Sequence, residues 1–288
     1  MNFRTLSARP LVEQMRTNLI ERVNHLKSNG LTPRMGVVLV GDNPASLTYI
    51  KNKKKACELV GAQFELHQWR ESISPSEFLS NIETLKNNPD IHGIIIQLPV
   101  PEQLKHLDLT NLISPEKDID GFHGMNTQLL FKGCRELENL LPCTPKGIVR
   151  LIQHYGIEIE GREVLVIGRS LIVGKPLSML LSNYNATVTI AHSKTVDLKR
   201  YTKNADIVIS AVGKPHFLDA SFFSPEKKTT VIDVGINLLD GKLVGDVNFN
   251  EVSPLVANIS PVPGGVGPMT VISLIENLVI ACEKKIKG

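Results

Sequence analysis

The feature that most constrains the fold of this chain is a repeated alternation of short apolar runs with helix-start signals. In the first half, runs typical of buried strands occupy residues 35–40, 62–69 and 93–98. A helix pattern over residues 45–60 separates the first two runs, and a second helix begins at Ser74, with Pro75 in its first turn. This order predicts a parallel sheet flanked by helices.

A second series of strand patterns follows, at residues 163–167, 187–191, 206–210 and 230–234. Spacings of about 20 residues are typical of short βα units in a Rossmann-like sheet. A loop-rich stretch over residues 114–142 separates the two series, and a final helix is expected at 269–285. We therefore expect an α/β protein of two domains, residues 1–140 and 141–268, with the C-terminal helix 269–288 joining the first.

Composition narrows the possible functions. Apolar residues make up 42% and charged residues 21% of the 288 residues, which is typical of a globular protein and excludes disorder. The net charge of +3 and the 5% aromatic content give no argument for a nucleic-acid partner or a membrane surface. No apolar run approaches the length of about 18 residues that a membrane span needs.

The cysteines, the histidines and the N-terminus indicate a cytoplasmic protein without a metal site. No two cysteines form a C-x-x-C pair, and a chain of this length can bury a core without disulfides, so we expect reduced thiols. The N-terminus lacks the apolar region of a signal peptide. The histidines do not have the spacing of metal ligands. The residues concerned are Cys57, Cys134, Cys143, Cys282, His123, His154, His192 and His216.

The segment 164–176 (VLVIGRSLIVGKP) is the candidate nucleotide-binding loop. A buried strand leads into Gly168, the small residues Ser170 and Gly174 follow, and then a helix begins. In a doubly wound fold this is where a pyrophosphate binds, because small residues let the backbone approach and the helix N-terminus offers free N–H groups. The segment lacks the G-x-G-x-x-G pattern, so a tight turn that requires glycine remains the alternative.

The end of the next strand favours NADP over NAD. A NAD site usually has a carboxylate here for the ribose 2′-OH, but residues 191–195 read AHSKT. A basic turn bearing hydroxyl groups suits a 2′-phosphate, and Arg169 can reach it. The alternative is a solvated loop that contains a lysine.

Three groups of polar residues in the first half form a candidate substrate site. Ser46, Tyr49 and Lys53 fall at i, i+3 and i+7 of the first predicted helix, and Gln97 lies at the carboxyl end of a buried strand, where ligands bind in open α/β sheets. Asp118 and Asp120 sit in the glycine-containing loop KDIDGFHG, positioned for the amine edge of a substrate. The alternatives are a solvated lysine-rich helix face, a glutamine bonded to backbone, and turn-forming aspartates.

Together these motifs resemble the bifunctional methylenetetrahydrofolate dehydrogenase/methenyltetrahydrofolate cyclohydrolase family. The matching segments run in family order along nearly the whole chain. They are S-x-x-Y-x-x-x-K (46–53), QLP (97–99), KDIDGFH (117–123), PCTPKG (142–147), GRSLIVGKP (168–176), AHSKT (191–195) and PVPGGVGPMT (261–270).

The resemblance implies a cytoplasmic, multifunctional enzyme of one-carbon metabolism, usually a homodimer, with a cleft between a folate-binding domain and an NADP-binding Rossmann-like domain. The family oxidises 5,10-methylenetetrahydrofolate with a nicotinamide cofactor and hydrolyses the 5,10-methenyl product to 10-formyltetrahydrofolate. The implied catalytic residues are Lys53, Tyr49, Gln97 and Asp120. The implied substrate-binding residues are Tyr49, Ser46, Leu98, Pro99, Asp120, Pro263, Gly264 and Gly265. The implied NADP-binding residues are Gly168, Arg169, Ser170, His192, Ser193, Thr195, Ile236 and Thr144.

Two departures and two alternatives accompany this resemblance. Leu171 stands where the family commonly has a polar residue, and Gly124 stands where it commonly has proline. The alternatives are a dehydrogenase with weak or no cyclohydrolase activity, and a non-catalytic nucleotide-binding regulator. The intact set of Tyr49, Lys53 and Gln97 argues against the first, and Lys53 together with Asp120 argues against the second.

Overall fold

The computed structural model describes residues 3–287 of the chain. The strands are β1 (Arg4–Thr5), β2 (Arg34–Val40), β3 (Gln63–Trp69), β4 (Gly93–Ile96), β5 (Glu163–Ile167), β6 (Thr187–Ala191), β7 (Ile207–Ser210), β8 (Thr230–Asp233), β9 (Asn237–Leu239), β10 (Lys242–Val244) and β11 (Asn258–Ile259). The helices are α1 (Arg9–Ser28), α2 (Pro44–Leu59), α3 (Pro75–Asn87), α4 (Gly124–Phe131), α5 (Cys143–His154), α6 (Gly174–Asn183), α7 (Leu198–Asn204), α8 (Phe249–Val252) and α9 (Val266–Lys287).

The chain forms two compact units, each assembled from separate segments. The six-stranded unit comprises the segment ending at Val12, Leu129–Arg135 and Thr144–Thr270. The three-stranded unit comprises Glu13–Gln128, Glu136–Cys143 and the residues from Val271 onward. The domain boundaries expected at residues 140 and 268 stay a prediction. The structure adds that β1, at the start of the chain, pairs with β11 in the six-stranded sheet.

The three-stranded unit is a parallel sheet in the order β3-β2-β4. The three strands predicted for the first half are confirmed to within two residues. Helix α3 begins at its predicted cap, because the Ser74 hydroxyl accepts a hydrogen bond from the Glu77 amide at 3.2 Å. The buried face of α3 consists of Phe78, Ile82 and Leu85, spaced at i, i+4 and i+7, which pack in one core cluster with residues of β2 and β4.

The six-stranded unit is a parallel sheet in the order β1-β11-β8-β7-β5-β6. From β5 the chain passes to β6 on one side and then to β7 on the other side. Such a reversal of strand order opens a crevice beyond the carboxyl ends of the two central strands, here β5 and β7. The expected α/β fold with a Rossmann-like second sheet is confirmed, and its four predicted strands are correct to within one residue.

Helix α4 and the β9–β10 hairpin are among the elements that were not expected from the sequence, as are α1, β1 and β11. The loop-rich stretch 114–142 contains α4 (Gly124–Phe131), whose Asn126 side chain donates hydrogen bonds to the Pro115 carbonyl and the Asp118 carboxylate, both at 2.9 Å. Strands β9 and β10 form an antiparallel hairpin whose turn residues, Asp240 and Gly241, both have positive φ. An Asp-Gly turn of this kind matches the twist of a hairpin.

Helix α9 requires a correction to the expectation about apolar runs. The stretch Val266–Ile286 reaches the length and composition of a membrane span, because it contains an 18-residue window with a mean hydropathy of 1.4. However, 72% of that window is buried inside the protein. In the three-stranded unit, the buried Asn277 of α9 donates hydrogen bonds to the carbonyls of Ile119 (2.8 Å) and Leu141 (3.0 Å). These features are typical of a core helix.

Candidate active site

Helix α2 presents the first group of candidate residues. The Asn43 side chain caps it by accepting hydrogen bonds from the amides of Ala45 (3.0 Å) and Ser46 (3.2 Å). Ser46 is buried, whereas the Tyr49 ring is 44% exposed on the following turn. Ser46 is thus part of the helix packing, and Tyr49 leaves an aromatic face accessible to a ligand.

Lys53 is the one lysine of this helix that turns toward the sheet. Lys51, Lys54 and Lys55 are exposed, while Lys53 is half-buried. Its Nζ donates a hydrogen bond to Gln97 Oε1 at 3.0 Å. The alternative of a solvated lysine-rich face describes the three neighbours, but not Lys53.

Gln97 is held at the carboxyl end of β4 by its own backbone and side chain. Its amide donates to the Val38 carbonyl of the adjacent strand at 2.9 Å, and its Nε2 donates to the Leu98 carbonyl at 2.9 Å. These bonds fix which end of the side-chain amide faces Lys53, so Oε1 is available as the acceptor. Leu98 and Pro99, which follow, are exposed and joined by a cis peptide bond.

Asp118 and Asp120 have different surroundings, although only one residue separates them. Asp118 is buried and accepts hydrogen bonds from the amides of Gly121 (3.1 Å) and His123 (2.7 Å) and from the Asn126 side chain (2.9 Å). Asp118 therefore builds the loop, as the turn-forming alternative expects. Within residues 3–287, no donor hydrogen-bonds to the Asp120 carboxylate. Asp120 thus keeps its hydrogen-bonding capacity for a ligand.

The position of Asp120 follows from the sheet. The segment leading to it forms a parallel bridge with β4, between Ile94 and Asp118, so Asp120 is delivered toward the same strand ends as Gln97. Burial raises the pKa of Asp120 to about 6. The charge of Lys53 opposes this rise, and the charge of Asp118 adds to it. Lys53, Gln97 and Asp120 thus form one electrostatically coupled group.

The candidate nucleotide loop lies in the six-stranded unit, beyond the carboxyl end of β5. Gly168 has a φ of +129°, and a Cβ there would lie 2.5 Å from the Ala211 carbonyl oxygen. A Cβ on Gly174, the first residue of α6, would overlap the Gly168 carbonyl. The Ser170 hydroxyl accepts hydrogen bonds from the amides of Val173 (3.2 Å) and Gly174 (3.3 Å). The loop therefore needs glycine at both positions, and Ser170 also serves to shape it.

Arg169 and the turn after β6 carry groups suited to an anion. His192 and Thr195 shape this turn, because the His192 amide donates to the Thr195 hydroxyl at 2.8 Å. Arg169 and Ser193 are exposed, and neither side chain hydrogen-bonds to another residue in the described range 3–287. A guanidinium and a hydroxyl group in this state are suited to a phosphate group.

The remaining candidates also belong to the six-stranded unit. The Thr144 hydroxyl lies 3.0 Å from the Thr270 hydroxyl, and Ile236, just beyond β8, is 44% exposed. In the loop before α9, the Gly264 carbonyl accepts a hydrogen bond from the Ala8 amide at 2.9 Å. Pro263 and Gly265 flank it. The structure thus gathers Lys53, Gln97 and Asp120 in one unit and the nucleotide-loop residues in the other.

Two buried residues that support the candidate sites, Asn277 and Asp246, were not identified from the sequence. Asn277 secures the backbone of Ile119, next to Asp120. Asp246 accepts hydrogen bonds from the amides that follow β7. The Asp-Gly hairpin signal at residues 240–241 was present in the sequence and could have located the segment that carries Asp246.

The structure also bears on the cysteines and on possible metal ligands. Each of the four cysteines is a thiol, as expected. Within residues 3–287, no three His, Cys, Asp or Glu side chains lie close enough together to hold a metal ion.

Family models match both halves of the chain. The model of the tetrahydrofolate dehydrogenase/cyclohydrolase catalytic domain matches residues 6–120, and that of the NAD(P)-binding domain of the same family matches residues 142–286. The chain belongs to this family. The resemblance inferred from the motifs is thereby confirmed.

Individual relatives agree with this assignment over their full length. The chain is 47% identical over 282 residues to the bifunctional protein FolD of Nautilia profundicola, covering 96% of each chain. It is also similar to the structure of the bifunctional FolD enzyme of Campylobacter jejuni, at a TM-score of 0.94 and 41% identity, covering 98% of this chain and 99% of that one. A Trypanosoma brucei methylenetetrahydrofolate dehydrogenase-cyclohydrolase, complexed with NADP cofactor and an inhibitor, matches at a TM-score of 0.89 and 31% identity over the whole of both chains.

The coupling between Lys53 and Asp120 generates a prediction. Removing the lysine charge by Lys53→Met destabilises the ionised Asp120 carboxylate, so the pKa of Asp120 rises above its value of about 6. NMR titration of carboxyl-labelled aspartate measures this, with the Asp120 signal assigned from the Asp120→Asn spectrum. The control is Lys51→Met, which removes an exposed lysine from the same helix. An Asp120 pKa that is equal in the parent and in Lys53→Met contradicts the coupling.

Proposed function

We propose that this chain is a bifunctional one-carbon folate enzyme. It oxidises 5,10-methylenetetrahydrofolate to 5,10-methenyltetrahydrofolate with NADP and hydrolyses that product to 10-formyltetrahydrofolate. The observation that carries the proposal is the Lys53–Gln97 hydrogen bond of 3.0 Å with the Asp120 carboxylate beside it. Family membership over both halves of the chain supports the same activity.

Lys53 handles the proton of the hydrolytic step. Water that attacks the methenyl carbon must lose a proton, and a positioned amine in its neutral form accepts that proton. Gln97 holds the amine in place through Oε1, while its own Nε2 is bonded to Leu98. Because Gln97 is fixed, its hydrogen bond orients the Lys53 nitrogen. The rest of the amine then faces substrate and water in one preferred orientation.

Asp120 and Tyr49 orient the pterin. The amine edge of a pterin offers N–H donors, and a carboxylate without protein partners accepts them as a pair of hydrogen bonds. The exposed Tyr49 ring offers a surface on which the pterin packs. Ser46, Leu98, Pro99, Pro263, Gly264 and Gly265 complete the proposed substrate contacts. Of these, the buried Ser46 contributes through the packing of α2.

The chain fits a dinucleotide in the six-stranded unit. The Gly168 and Gly174 contacts leave no room for a side chain, and the Arg169 and Ser193 side chains are unoccupied by protein partners within residues 3–287. Arg169 and Ser193 would hold the 2′-phosphate, and Gly168, Ser170, His192, Thr195, Ile236 and Thr144 would form the remaining contacts. When bound, NADP accepts the hydride of the methylene carbon. No heteroatom proton leaves in that oxidation, so this chain needs no catalytic base for it.

Lys53→Met tests the hydrolytic role. Loss of the amine lowers the rate of methenyltetrahydrofolate hydrolysis by about two orders of magnitude, the contribution typical of positioned proton transfer. The decay of methenyl absorbance measures this rate, and calorimetry checks that NADP affinity is retained. The control Lys51→Met hydrolyses at the parent rate. Hydrolysis by Lys53→Met at the parent rate would falsify the assignment of Lys53.

Both alternatives make different predictions for the parent protein. A dehydrogenase without cyclohydrolase activity accumulates the methenyl product, and a non-catalytic regulator binds NADP without forming NADPH. Absorbance recorded during incubation with methylenetetrahydrofolate and NADP distinguishes them, because NADPH and the methenyl product are followed together. Formation of NADPH with only transient methenyl product supports the bifunctional assignment.

Arg169→Ala tests the preference for NADP. The loss of a charge-assisted contact to the 2′-phosphate lowers kcat/KM with NADP by about ten- to a hundredfold and leaves kcat/KM with NAD nearly unchanged. The exposed Arg200, on α7, supplies the matched control Arg200→Ala. Equal kcat/KM for the two cofactors in the parent protein contradicts the 2′-phosphate argument.

We also propose that the protein is a cytoplasmic homodimer, with the folate-binding and NADP-binding domains divided near residues 140 and 268. The thiol state of the cysteines supports the cytoplasmic location. The resemblance supports the dimer, and so does β6, which lies at the edge of its sheet with Ile190 41% exposed. Light scattering during size-exclusion chromatography should give twice the mass of the chain, and a monomeric mass at assay concentration contradicts it.

A further inference from the structure

The six-stranded unit contains a buried carboxylate, that of Asp246, close to the candidate nucleotide loop. Asp246 does not lie at the end of any strand of the six-stranded sheet. It follows the β9–β10 hairpin and is fully buried. Its Oδ2 accepts hydrogen bonds from the Val212 amide (2.7 Å), the Gly213 amide (3.2 Å) and the Ser210 hydroxyl (3.2 Å). Its Oδ1 accepts from the Lys214 amide (2.9 Å) and the Asn237 side chain (3.0 Å).

These donors come from two segments that adjoin residues of the proposed dinucleotide site. The turn 212–214 follows β7, and the Ala211 carbonyl at its start lies against Gly168, where it excludes a Cβ. Asn237 directly follows Ile236, the exposed residue of the proposed cofactor site. Asp246 is therefore bonded to two segments next to that site, which lie beyond the carboxyl ends of β7 and β8.

A second carboxylate fixes Asp246 itself. Asp233, the last residue of β8, accepts hydrogen bonds from the amides of Gly235 (3.0 Å), Asp246 (3.0 Å) and Val247 (2.9 Å). A Cβ on Gly235 would overlap the Asp246 carboxylate, and a Cβ on Gly245 would overlap the Asp233 carboxylate. The two aspartates and two glycines thus form a close-packed arrangement in which neither carboxylate has space to move.

We propose that Asp246 is a positioning residue for the dinucleotide, holding the turn 212–214 and the segment around Ile236 in the conformation that binds NADP. This inference rests on the proposed function. Asp246 contacts backbone amides and other side chains rather than the ligand, so its effect reaches the cofactor through these segments. Its partners all belong to the six-stranded unit, whereas Lys53, Gln97 and Asp120 belong to the three-stranded unit.

Asp246→Asn tests this role with a change of few atoms. Both oxygens of Asp246 accept hydrogen bonds from N–H donors. In asparagine one of these oxygens becomes an NH2 group, which cannot accept, so the hydrogen bonds to that oxygen are lost. NADP binding, measured by calorimetry, weakens about tenfold or more, because several hydrogen bonds to the Asp246 side chain are affected. The KM for NADP rises in parallel, kcat at saturating NADP is retained, and hydrolysis of methenyltetrahydrofolate, which uses no NADP, keeps the parent rate.

Two further variants separate positioning from general destabilisation. Asp206→Asn is the matched control, because Asp206 precedes β7 at the opposite end of the strand and accepts the Glu163 amide at 2.9 Å. It should leave NADP affinity unchanged. Asn237→Ala removes a single donor to Asp246 and should weaken NADP binding by less than Asp246→Asn does.

The outcomes distinguish this inference from the proposed function. If the parent binds NADP and Asp246→Asn binds it equally well, the positioning role is wrong. It is also wrong if Asp246→Asn loses hydrolysis and NADP affinity together, since that pattern reports general loss of structure. If the parent itself neither binds NADP nor oxidises methylenetetrahydrofolate, the proposed function fails instead.

Discussion

The hydrogen bond between Lys53 and Gln97 joins a helix to the carboxyl end of a strand, and the candidate chemistry of the three-stranded unit depends on it. Lysine is a long, flexible side chain, and ordering it costs conformational entropy that a solvated lysine does not lose. The Gln97 side chain offsets this cost, because its Oε1 is a fixed acceptor for Lys53. Oε1 is fixed because Nε2 of the same side chain donates to the Leu98 carbonyl. Without that acceptor, Lys53 would be equivalent to the exposed lysines around it.

Asp118, Asp246 and Asp120 show how the supply of N–H donors determines what a carboxylate does. Asp118 and Asp246 each accept several donors and therefore hold backbone segments in place. Asp120 accepts none within residues 3–287 and lies beside an amine instead. A desolvated carboxylate without donors is unfavourable in the free protein, and a ligand that brings its own donors relieves that cost. Residue type alone does not distinguish these roles, but the count of donors does.

Strands β2 to β8 and the starts of α2 and α3 could be predicted because their signals are local. Apolar runs of strand length and the cap at Ser74 report the environment of a few consecutive residues. The helical spacing also placed Tyr49 and Lys53 on one face of α2. It could not show that Lys53 is half-buried while Lys51 and Lys54 are exposed, because the position of the sheet decides which lysine is covered.

The residues that escaped prediction act through distant backbone. The partners of Asp246 lie more than thirty positions away at residues 212 and 213, and Asn277 bonds to Ile119 across 158 positions. No periodicity records such pairings, since any buried polar side chain is compatible with many partners. The helix α4 was missed for a related reason: its Asn126 is anchored to Pro115 and Asp118, in a segment whose composition is that of a loop.

The division of the chain into two units makes the two proposed activities separable by mutation. Lys53, Gln97 and Asp120, which are proposed to handle water and pterin, draw their support from β2, β4 and α9, as the bonds of Gln97 to Val38 and of Asn277 to Ile119 show. The residues proposed for the dinucleotide draw theirs from the ends of β5, β7 and β8 and from Asp246. Because these two sets of bonds share no residue, a defect in one set should leave the other intact. A bifunctional chain built in this way can adjust cofactor affinity through residues such as Asp246 without altering Lys53, the amine proposed for hydrolysis.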